Sequence, residues 1–192
     1  MENDSSLVQG GWKPQFAAMT EHQKQGARLM NANVQFSNKH DVKGLIEAFV
    51  HNHGEDALSR TVTPAQWEAL ANYMQPFTLA QSQILITQGS KDRTLYFVET
   101  GTLSVHYEDA ADRIRLAIVG PGSVLGEGGF FSHMPRNATV QAATECTMWS
   151  ITPMRFAELS HRLPGAALAL TMALGAIVCK RMQDRRRRVA VT

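Results

Sequence analysis

The sequence has 192 residues, of which 44% are hydrophobic and 19% are charged. This balance provides enough apolar side chains for a sizeable core and excludes a wholly disordered chain. The formal net charge is +2, but residues 180–192 hold six cationic side chains and one carboxylate, a local charge of +5, so the other 179 residues sum to about −3. A protein that is basic throughout, as a general nucleic-acid binder is, is therefore disfavoured.

The two cysteines, Cys146 and Cys179, lie far apart and in apolar stretches. This spacing fits neither a disulfide framework nor a zinc knuckle, and it indicates a reducing compartment. The chain starts with polar and acidic residues rather than with a basic segment followed by an apolar one. We therefore expect no secretory signal and a cytoplasmic protein.

The first third of the chain consists of a polar segment followed by a segment with helical periodicity. Residues 1–35 are polar with little periodicity, and we expect them to be flexible or loosely attached. Between Asp41 and Ser59, apolar residues at helical spacing predict one amphipathic helix, whose apolar face consists of Val42, Leu45, Ile46, Phe49 and Val50. Together these segments make a predicted N-terminal extension over residues 1–60.

A second helix is predicted to begin at Thr63 and Pro64, because Thr is a favourable N-cap and Pro suits the first helical turn. We expect this helix to end at Pro76. From Leu79 to Thr152 the hydrophobic period becomes two, and turn residues separate short runs at regular intervals. This pattern predicts a mainly β or α+β fold, with an antiparallel roll or barrel and its flanking helices over residues 61–163.

Helical periodicity returns from Pro153 to Leu163 and again from Pro164 to about Val189, so residues 164–192 are predicted to form a long helix with a basic tail. The 17 residues from Leu163 to Cys179 carry no charge, and a membrane anchor has to be weighed. This run is at the short end of the roughly 20 residues that span a bilayer, and it is rich in Ala, Gly and Thr. Because small residues favour close helix packing, we predict a dimerisation or core helix rather than an anchor.

The glycine-rich segment from 120 to 140 carries the chemistry. Gly126, Gly128 and Gly129 allow backbone amides to approach a ligand closely. If Gly128 opens a helical turn, the free N–H groups there suit an anion. Arg136 follows at short range, and its guanidinium pairs well with phosphate in a bidentate manner.

Glu127 is the unusual member of this segment. A carboxylate beside a bound phosphate is repelled, so Glu127 is expected to face a donor such as a sugar hydroxyl. Backbone amides, an arginine and such a carboxylate together describe a nucleotide pocket. The alternative is a simple glycine turn in which Arg136 forms an ordinary ion pair with Glu127.

Two parts of this segment, Gly126-Glu127 and Pro135-Arg136-Asn137-Ala138-Thr139-Val140, resemble the phosphate-binding cassette of cyclic nucleotide-binding domains. The upstream signals occur in the same order as in that family: Gly89 after a strand, Leu95-Tyr96-Phe97-Val98 before Gly101, and Gly120-Pro121-Gly122 before the cassette. The resemblance covers about residues 75–188. It is strongest to the sensor half of bacterial catabolite-activator-type proteins.

The resemblance implies an eight-stranded antiparallel β-roll flanked by helices, and a non-catalytic sensor of cAMP or, as the second choice, cGMP. It implies that Arg136 pairs with the cyclic phosphate and that Glu127 takes the ribose 2′-hydroxyl. It also implies that the last helix forms a homodimer, with Arg181 and Met182 approaching the base. The residues that it places around the ligand are Leu116, Ala117, Leu125, Gly126, Glu127, Gly128, Gly129, Arg136, Asn137, Ala138, Arg181 and Met182.

The sequence departs from the family pattern at several of these positions. Gly128 and Gly129 stand where many members have bulkier residues, and Asn137 stands where many have Ser, Thr or Ala. Because Asn both donates and accepts, it suits either the phosphate or a guanine edge, and the adenine or guanine preference stays open. Arg181 and Met182 are not the hydroxyl residues found at the base in the catabolite activator.

The printed sequence ends at Thr192, four residues after Arg188, which leaves no room for a recognition helix after the dimer helix. We therefore expect a stand-alone sensor without a DNA-binding domain of its own and without a cofactor. Ligand binding would move the flanking helices and signal to a downstream protein that the sequence does not name. Two alternatives stay open: a cyclic dinucleotide receptor, and an interaction scaffold that kept the roll without a ligand.

A cupin-like metal enzyme is a further alternative, since cupins are also β-rolls. A cupin site needs two His in one strand and a third converging ligand, whereas His106 is alone in its strand and His133 lies in a predicted loop. The stretch from Gly122 to Gly126 places Ser123 one position away from that of a nucleophile elbow. We therefore expect neither a metal ion nor catalytic residues.

Overall fold

The computed structural model describes the backbone of residues 40–54, 58, 62–108 and 114–190, and the side chains of these residues except 108, 114–116 and 184–190. All of them belong to one unit, Lys39–Thr192. The predictions for residues 1–35 and for the side chains of Arg185 to Arg188 lie outside this described part.

Two antiparallel sheets of four strands form the centre of the fold. The first contains, in this order, β1 (Gln75–Leu79), β8 (Cys146–Ile151), β3 (Leu95–Thr100) and β6 (Val124–Leu125). The second contains β2 (Ile84–Ile86), β7 (Thr139–Ala142), β4 (Leu103–Glu108) and β5 (Ile114–Val119). These eight strands agree with the predicted antiparallel β-roll.

The first sheet separates two apolar clusters. Phe97 and Trp149 project from one face of it into a cluster shared with the helices. Val98 and Met148 project from the other face and pack with Leu103 of the second sheet. The period-two pattern of β3 and β8 therefore supplies both faces, because successive side chains of a strand point in opposite directions.

Two helices precede the roll, as predicted. Helix α1 (Lys43–His51) buries Leu45 and Phe49 in the cluster shared with the first sheet. Helix α2 (Pro64–Ala71) begins with a capping box: Thr63 Oγ1 accepts from the backbone N–H of Gln66, whose side chain accepts from the N–H of Thr63. This reciprocal bonding satisfies two N–H groups that a helix start leaves without partners.

The β region begins one strand earlier than predicted, with β1. Pro76 does not merely follow helix α2 but lies inside β1, opposite Trp149 of β8. The strand order places β1 at the edge of its sheet. A proline is tolerated there because its missing N–H need not contribute to a ladder on the open side.

Three helices follow: α3 (Glu127–Ser132), α4 (Pro153–Arg162) and α5 (Pro164–Ala190). The bounds of α4 and α5 confirm the predicted helices within one or two residues. Helix α5 buries Leu170, Leu174 and Ile177 completely, whereas Leu168 and Met172 on its opposite face are 63% and 64% exposed. Its stretch from Pro164 to Gln183, with a mean hydropathy of 1.4, is long and apolar enough to cross a membrane by length and composition, and one face of it belongs to the core.

Candidate functional site

A cavity of about 260 Å³ opens beside the apolar cluster between the two sheets. This volume is close to the lower end of the roughly 300–1,000 Å³ typical of small-molecule sites. Strands β2, β4, β5 and β6, the segment 126–129, residues 136–138 and helix α5 all contribute to its walls. The lining residues are Ile86, Val105, Tyr107, Ala117, Val119, Leu125, Gly126, Glu127, Gly128, Gly129, Arg136, Asn137, Ala138, Val140 and Arg181.

The start of helix α3 requires glycine for two reasons. Gly126, the N-cap, has φ +85°, a left-handed conformation that is costly for residues with a Cβ. A Cβ at this position would also lie 2.4 Å from Nη1 of Arg136. A Cβ at Gly128 would meet nothing within 4 Å, so the backbone at Gly128 faces the open cavity.

Arg136 is 4% exposed and is held by three acceptors. Its Nη1 donates to the carbonyl of Gly126 at 2.8 Å, and its Nη2 donates to Asp92 Oδ2 and to the carbonyl of Thr94, both at 2.5 Å. The Nε–H is buried and has no acceptor among the described residues. A buried charged donor without an acceptor is costly, and Arg136 is among the residues that line the cavity.

The loop between β2 and β3 fixes the position of Arg136 through both backbone and side chain. The N–H of Gly89 donates to the carbonyl of Arg136 at 2.7 Å, and the N–H of Arg136 donates to the carbonyl of Ser90 at 2.8 Å. Asp92 and Thr94 of the same loop hold the guanidinium. The cassette arginine is therefore oriented by residues more than forty positions earlier in the sequence.

Asp92 is itself held in place by its loop. Its Oδ1 accepts from the backbone N–H and the hydroxyl of Thr94. Partial burial would raise the pKa of Asp92, but the hydrogen bonds from Arg136 and Thr94 outweigh it, and the pKa lies below its ordinary value. Asp92 is thus a carboxylate that aligns Arg136.

Glu127 pairs with helix α5 rather than with Arg136. Its Oε1 lies 2.7 Å from Nη1 of Arg181, and both side chains are largely buried. Arg181 Nη2 also donates to the carbonyl of Val124 at 3.0 Å. The alternative of a simple turn with an Arg136–Glu127 ion pair is wrong, because the two charges have different partners.

The structure brings most of the predicted site residues together at the cavity: Ala117, Leu125, Gly126, Glu127, Gly128, Gly129, Arg136, Asn137, Ala138 and Arg181. Leu116 lies in β5 next to Ala117, but its side chain is outside the described part. Met182 is 55% exposed and is not among the residues that line the cavity. Arg181 lines the cavity and pairs with Glu127, and its approach to a base stays a prediction.

Sequence reasoning missed two kinds of residues. Asp92 and Thr94 carry no signal of their own, since they act through Arg136, which is distant in sequence. Val105 and Tyr107 lie within the predicted β region, but a period-two pattern indicates only that they share a face and not that a cavity lies in front of it. Across the described side chains, no group of three or more His, Cys, Asp or Glu is arranged to hold a metal ion.

The family model described as "Cyclic nucleotide-binding domain" matches residues 76–162. Among curated proteins, a cAMP-dependent protein kinase regulatory subunit of Eremothecium gossypii is 26% identical over 63% of this chain and 25% of its own length. A cGMP-dependent protein kinase of Plasmodium berghei is 30% identical over 49% of this chain and 11% of its own length. The chain thus spans a quarter or less of these relatives.

Solved structures share the fold at low sequence identity. A cyclic nucleotide-binding domain from Methylobacillus flagellatus superimposes with a TM-score of 0.67 at 19% identity, over 77% of this chain and 82% of that one. The catabolite activator protein of Thermus thermophilus superimposes with a TM-score of 0.61 at 19% identity, over 75% of this chain and 62% of that one. Both show that the β-roll with its flanking helices is the fold of these proteins.

Proposed function

We propose that this chain binds a cyclic mononucleotide, because residues 76–162 belong to the cyclic nucleotide-binding domain family and a buried arginine with an unpaired donor lines the cavity of that domain. The first candidate ligand is cAMP and the second is cGMP, since the similar proteins include a cAMP-dependent and a cGMP-dependent kinase or subunit. The chain binds the ligand without converting it and acts as a cytoplasmic sensor.

The cyclic phosphate is the group that Arg136 recognises. The carbonyls of Gly126 and Thr94 and the carboxylate of Asp92 hold the guanidinium, so little side-chain entropy is lost when an anion arrives. The Nε–H has no other acceptor among the described residues. A phosphate oxygen at the cavity wall supplies one, in a charge-assisted hydrogen bond.

The glycines complete the phosphate site. The backbone at Gly128 is open to the cavity, with no atom within 4 Å of the position that a Cβ would take. Gly129 lies against the guanidinium of Arg136, whose Nη1 would be 3.3 Å from a Cβ there. A phosphate bound to Arg136 therefore also lies near backbone N–H groups that no side chain shields.

The ribose is assigned to Glu127. This carboxylate uses Oε1 for Arg181 and lies in the same cavity wall as the glycines. A 2′-hydroxyl can donate to the carboxylate, whereas a phosphate oxygen would be repelled by it. In this proposal Arg136 therefore binds the phosphate and the carboxylate of Glu127 binds the sugar.

Signalling is proposed to run through helix α5. Arg181 connects this helix to Glu127 and to the carbonyl of Val124, so a ribose at Glu127 changes the contacts of the helix. Leu168 and Met172 form an exposed apolar face on α5, which suits homodimerisation through this helix. A change in that dimer is what a downstream protein would detect.

Isothermal titration with Arg136→Lys tests the proposal. Lys keeps the positive charge but loses the planar donor set that Gly126, Asp92 and the phosphate share, so we expect cAMP affinity to fall at least tenfold. The matched control is Arg155→Lys, which alters an ion pair with Glu158 on helix α4 and should leave the affinity unchanged. Wild-type affinity in Arg136→Lys would contradict the proposal.

A panel of ligands on the wild-type chain separates the remaining possibilities. Thermal unfolding is followed with cAMP, cGMP, cyclic di-GMP and cyclic di-AMP, and recovered ligand is checked for conversion. A shift with a cyclic mononucleotide recovered unchanged supports the proposal. A shift with cyclic dinucleotides alone indicates the dinucleotide receptor, and no shift with any of them indicates an interaction scaffold.

A further inference from the structure

The loop between β2 and β3 contacts the cassette through three consecutive residues. Asp92 and Thr94 hold Arg136. Arg93, between them, reaches helix α3 instead, where its Nη2 donates to the carbonyl of Phe130 at 3.0 Å. We infer that Arg93 is a positioning residue of the ligand site, which holds the C-terminal end of α3 so that the start of this helix faces the cavity. This inference rests on the proposed function and adds a residue on which ligand affinity depends.

Helix α3 is too short to be stable by itself. It has six residues, whereas an isolated helix of fewer than about 12–15 residues is marginal in water. The last four carbonyls of a helix have no partner within it, and the carbonyl of Phe130 is one of these. A guanidinium that donates to this carbonyl satisfies it and places a positive charge at the negative end of the helix.

The residue that follows α3 has an unusual backbone conformation. His133, the C-cap, has φ +60°, in the left-handed region that glycine or asparagine occupies at many helix ends. A histidine has a conformational cost there. Its Nε2 lies 3.0 Å from Nη2 of Arg93, and the imidazole is the acceptor because a guanidinium only donates. This second contact offsets the cost and joins Arg93 to the end of the helix again.

The surroundings of Arg93 strengthen these contacts. The side chain is only partly exposed, and its Nε is buried without an acceptor among the described residues. A guanidinium with little water around it depends more on its protein acceptors than a surface arginine does. The ring of Phe130 is buried and packs edge-on against Phe156 of α4 at 5.3 Å. Arg93 therefore bonds to the residue that anchors α3 in the core.

One carbonyl connects the helix to the cassette arginine. The carbonyl of Gly126 accepts from the N–H of Phe130 at 3.0 Å and from Nη1 of Arg136 at 2.8 Å. Gly128 and Gly129, in the first turn, line the cavity. Fraying of α3 would thus disturb both the guanidinium and the backbone at the cavity. A site that is ordered for only a fraction of the time binds its ligand correspondingly more weakly.

Isothermal titration with cAMP tests the inference in two variants. Arg93→Gln loses the charge and part of the reach, so we expect the affinity to fall about tenfold. Arg93→Lys keeps a cation for the carbonyl of Phe130 and should remain within about threefold of the wild type. The matched control is Lys91→Gln, which removes the same charge at an exposed residue of the same loop and should bind as the wild type does.

Hydrogen exchange of the free chain measures the effect of Arg93 on α3. In Arg93→Gln the N–H of Phe130, which is bonded to Gly126, should exchange at least about fivefold faster. The N–H of Phe156, which donates to the carbonyl of Thr152 at 2.9 Å, should keep its wild-type rate. Saturating cAMP should restore most of the protection at Phe130, because the ligand stabilises the ordered segment.

A variant of His133 separates the contact from the stability of the fold. His133→Gly removes the imidazole, but glycine adopts φ +60° readily, so thermal unfolding should stay close to that of the wild type while cAMP affinity falls. The double variant with Arg93→Gln should lose less affinity than the sum of the two single losses. Additive losses would contradict a joint action of the two residues.

The outcomes separate this inference from the proposed function. If the wild-type chain binds no cyclic nucleotide, the proposed function fails and the inference fails with it. If the wild type binds cAMP and Arg136→Lys loses affinity, but Arg93→Gln binds as the wild type does, the inference alone is overturned. Equal acceleration of exchange at Phe130 and Phe156 would also overturn it, since this would show a loss of overall stability rather than of position.

Discussion

Arg181 and Glu127 form an ion pair at 2.7 Å that joins the last helix, α5, to the short helix α3 at the cavity. The two residues are 54 positions apart in the sequence, and both line the cavity. Their side chains are only 23% and 15% exposed. Removing one partner of a contact with so little water around it costs more than removing one partner of a surface ion pair, because the remaining charge is then poorly hydrated and unpaired.

A double-mutant cycle measures this connection. Arg181→Leu leaves the Glu127 carboxylate without its cation, and Glu127→Gln leaves the Arg181 cation without its anion, so each single variant should lower the free energy of unfolding. The double variant should lose less than the sum of the two, with an interaction term of about 1 kcal/mol, measured by urea unfolding. Additive losses would show that the pair does not couple the two helices. Met182→Leu, the exposed neighbour on α5, controls for changes to the helix itself.

Glu127 should also determine how strongly the site prefers ribose to 2′-deoxyribose. Glu127→Gln replaces an ionised acceptor with a neutral amide, so it weakens the hydrogen bond from a ribose 2′-hydroxyl. The wild-type chain is expected to bind cAMP about tenfold more tightly than 2′-deoxy-cAMP, and Glu127→Gln should reduce this ratio to within about threefold. Titration of both ligands measures it. An unchanged ratio would remove Glu127 from the ribose site.

Gly126, the N-cap of α3, and Gly128, inside it, should differ in how well they accept a Cβ. Gly126→Ala combines a left-handed φ with a methyl group 2.4 Å from Arg136 Nη1, and it should cost about 1–3 kcal/mol of stability and displace the guanidinium. Gly128→Ala meets open space and should fold with nearly wild-type stability, while its methyl group enters the cavity and weakens cAMP binding. Thermal unfolding and titration of both variants give the comparison. Equal stability of the two would contradict this account of Gly126.

The order of the cassette could be read from the sequence, because glycine and arginine carry their chemistry in their residue types. Gly126, Glu127 and Arg136 are local in the chain, and the structure gathers them at one cavity. Asp92 could not be found in this way, since its role depends on a loop that folds against Arg136 from elsewhere in the chain. Pro76 was read as a helix stop because nothing in the sequence shows that its strand is an edge.

The direction of a long side chain could not be predicted from the sequence either. Counting residues along the last helix indicated that Arg181 approaches the cavity, but it did not indicate the ion pair with Glu127. Helical spacing fixes the face of α5 on which a residue lies, but the end of an arginine can lie several ångströms from that position. Leu170 and Leu174, which are short and apolar, lie fully buried on the core side of the same helix.

The contribution of Asp92 to the free energy of unfolding should decrease at low pH. Its pKa is lowered in the folded state because the hydrogen bonds from Arg136 and Thr94 outweigh the effect of burial. The stabilisation is therefore complete above the unfolded value of about 3.9 and is lost as the pH falls through the lower folded value. Urea unfolding should show Asp92→Asn about 1 kcal/mol less stable than the wild type at pH 6, with a difference that shrinks below about pH 4. A constant difference would contradict this role, and Asp41→Asn, in an exposed contact with Lys43, is the control.

The exposed face of α5 should control the oligomeric state. Met172→Glu puts a charge into the centre of the apolar face that includes Leu168, so it should convert the proposed homodimer to a monomer without unfolding the chain. Light scattering after size-exclusion chromatography measures the mass. Met154→Glu, at a residue that is 78% exposed on α4, should leave the mass unchanged. A wild-type chain that is monomeric at all concentrations would contradict dimerisation through this helix.

The central claim is that a cyclic phosphate accepts a hydrogen bond from the Nε–H of Arg136, and nitrogen NMR of the arginine side chains tests it most directly. In a sample labelled at arginine Nε, the Arg136 signal is assigned by its loss in Arg136→Lys, and the chain is titrated with cAMP and with adenosine. The account predicts that cAMP moves this signal downfield and slows the exchange of its proton, while adenosine has no such effect. Binding of cAMP with an unchanged Arg136 Nε–H signal would contradict it.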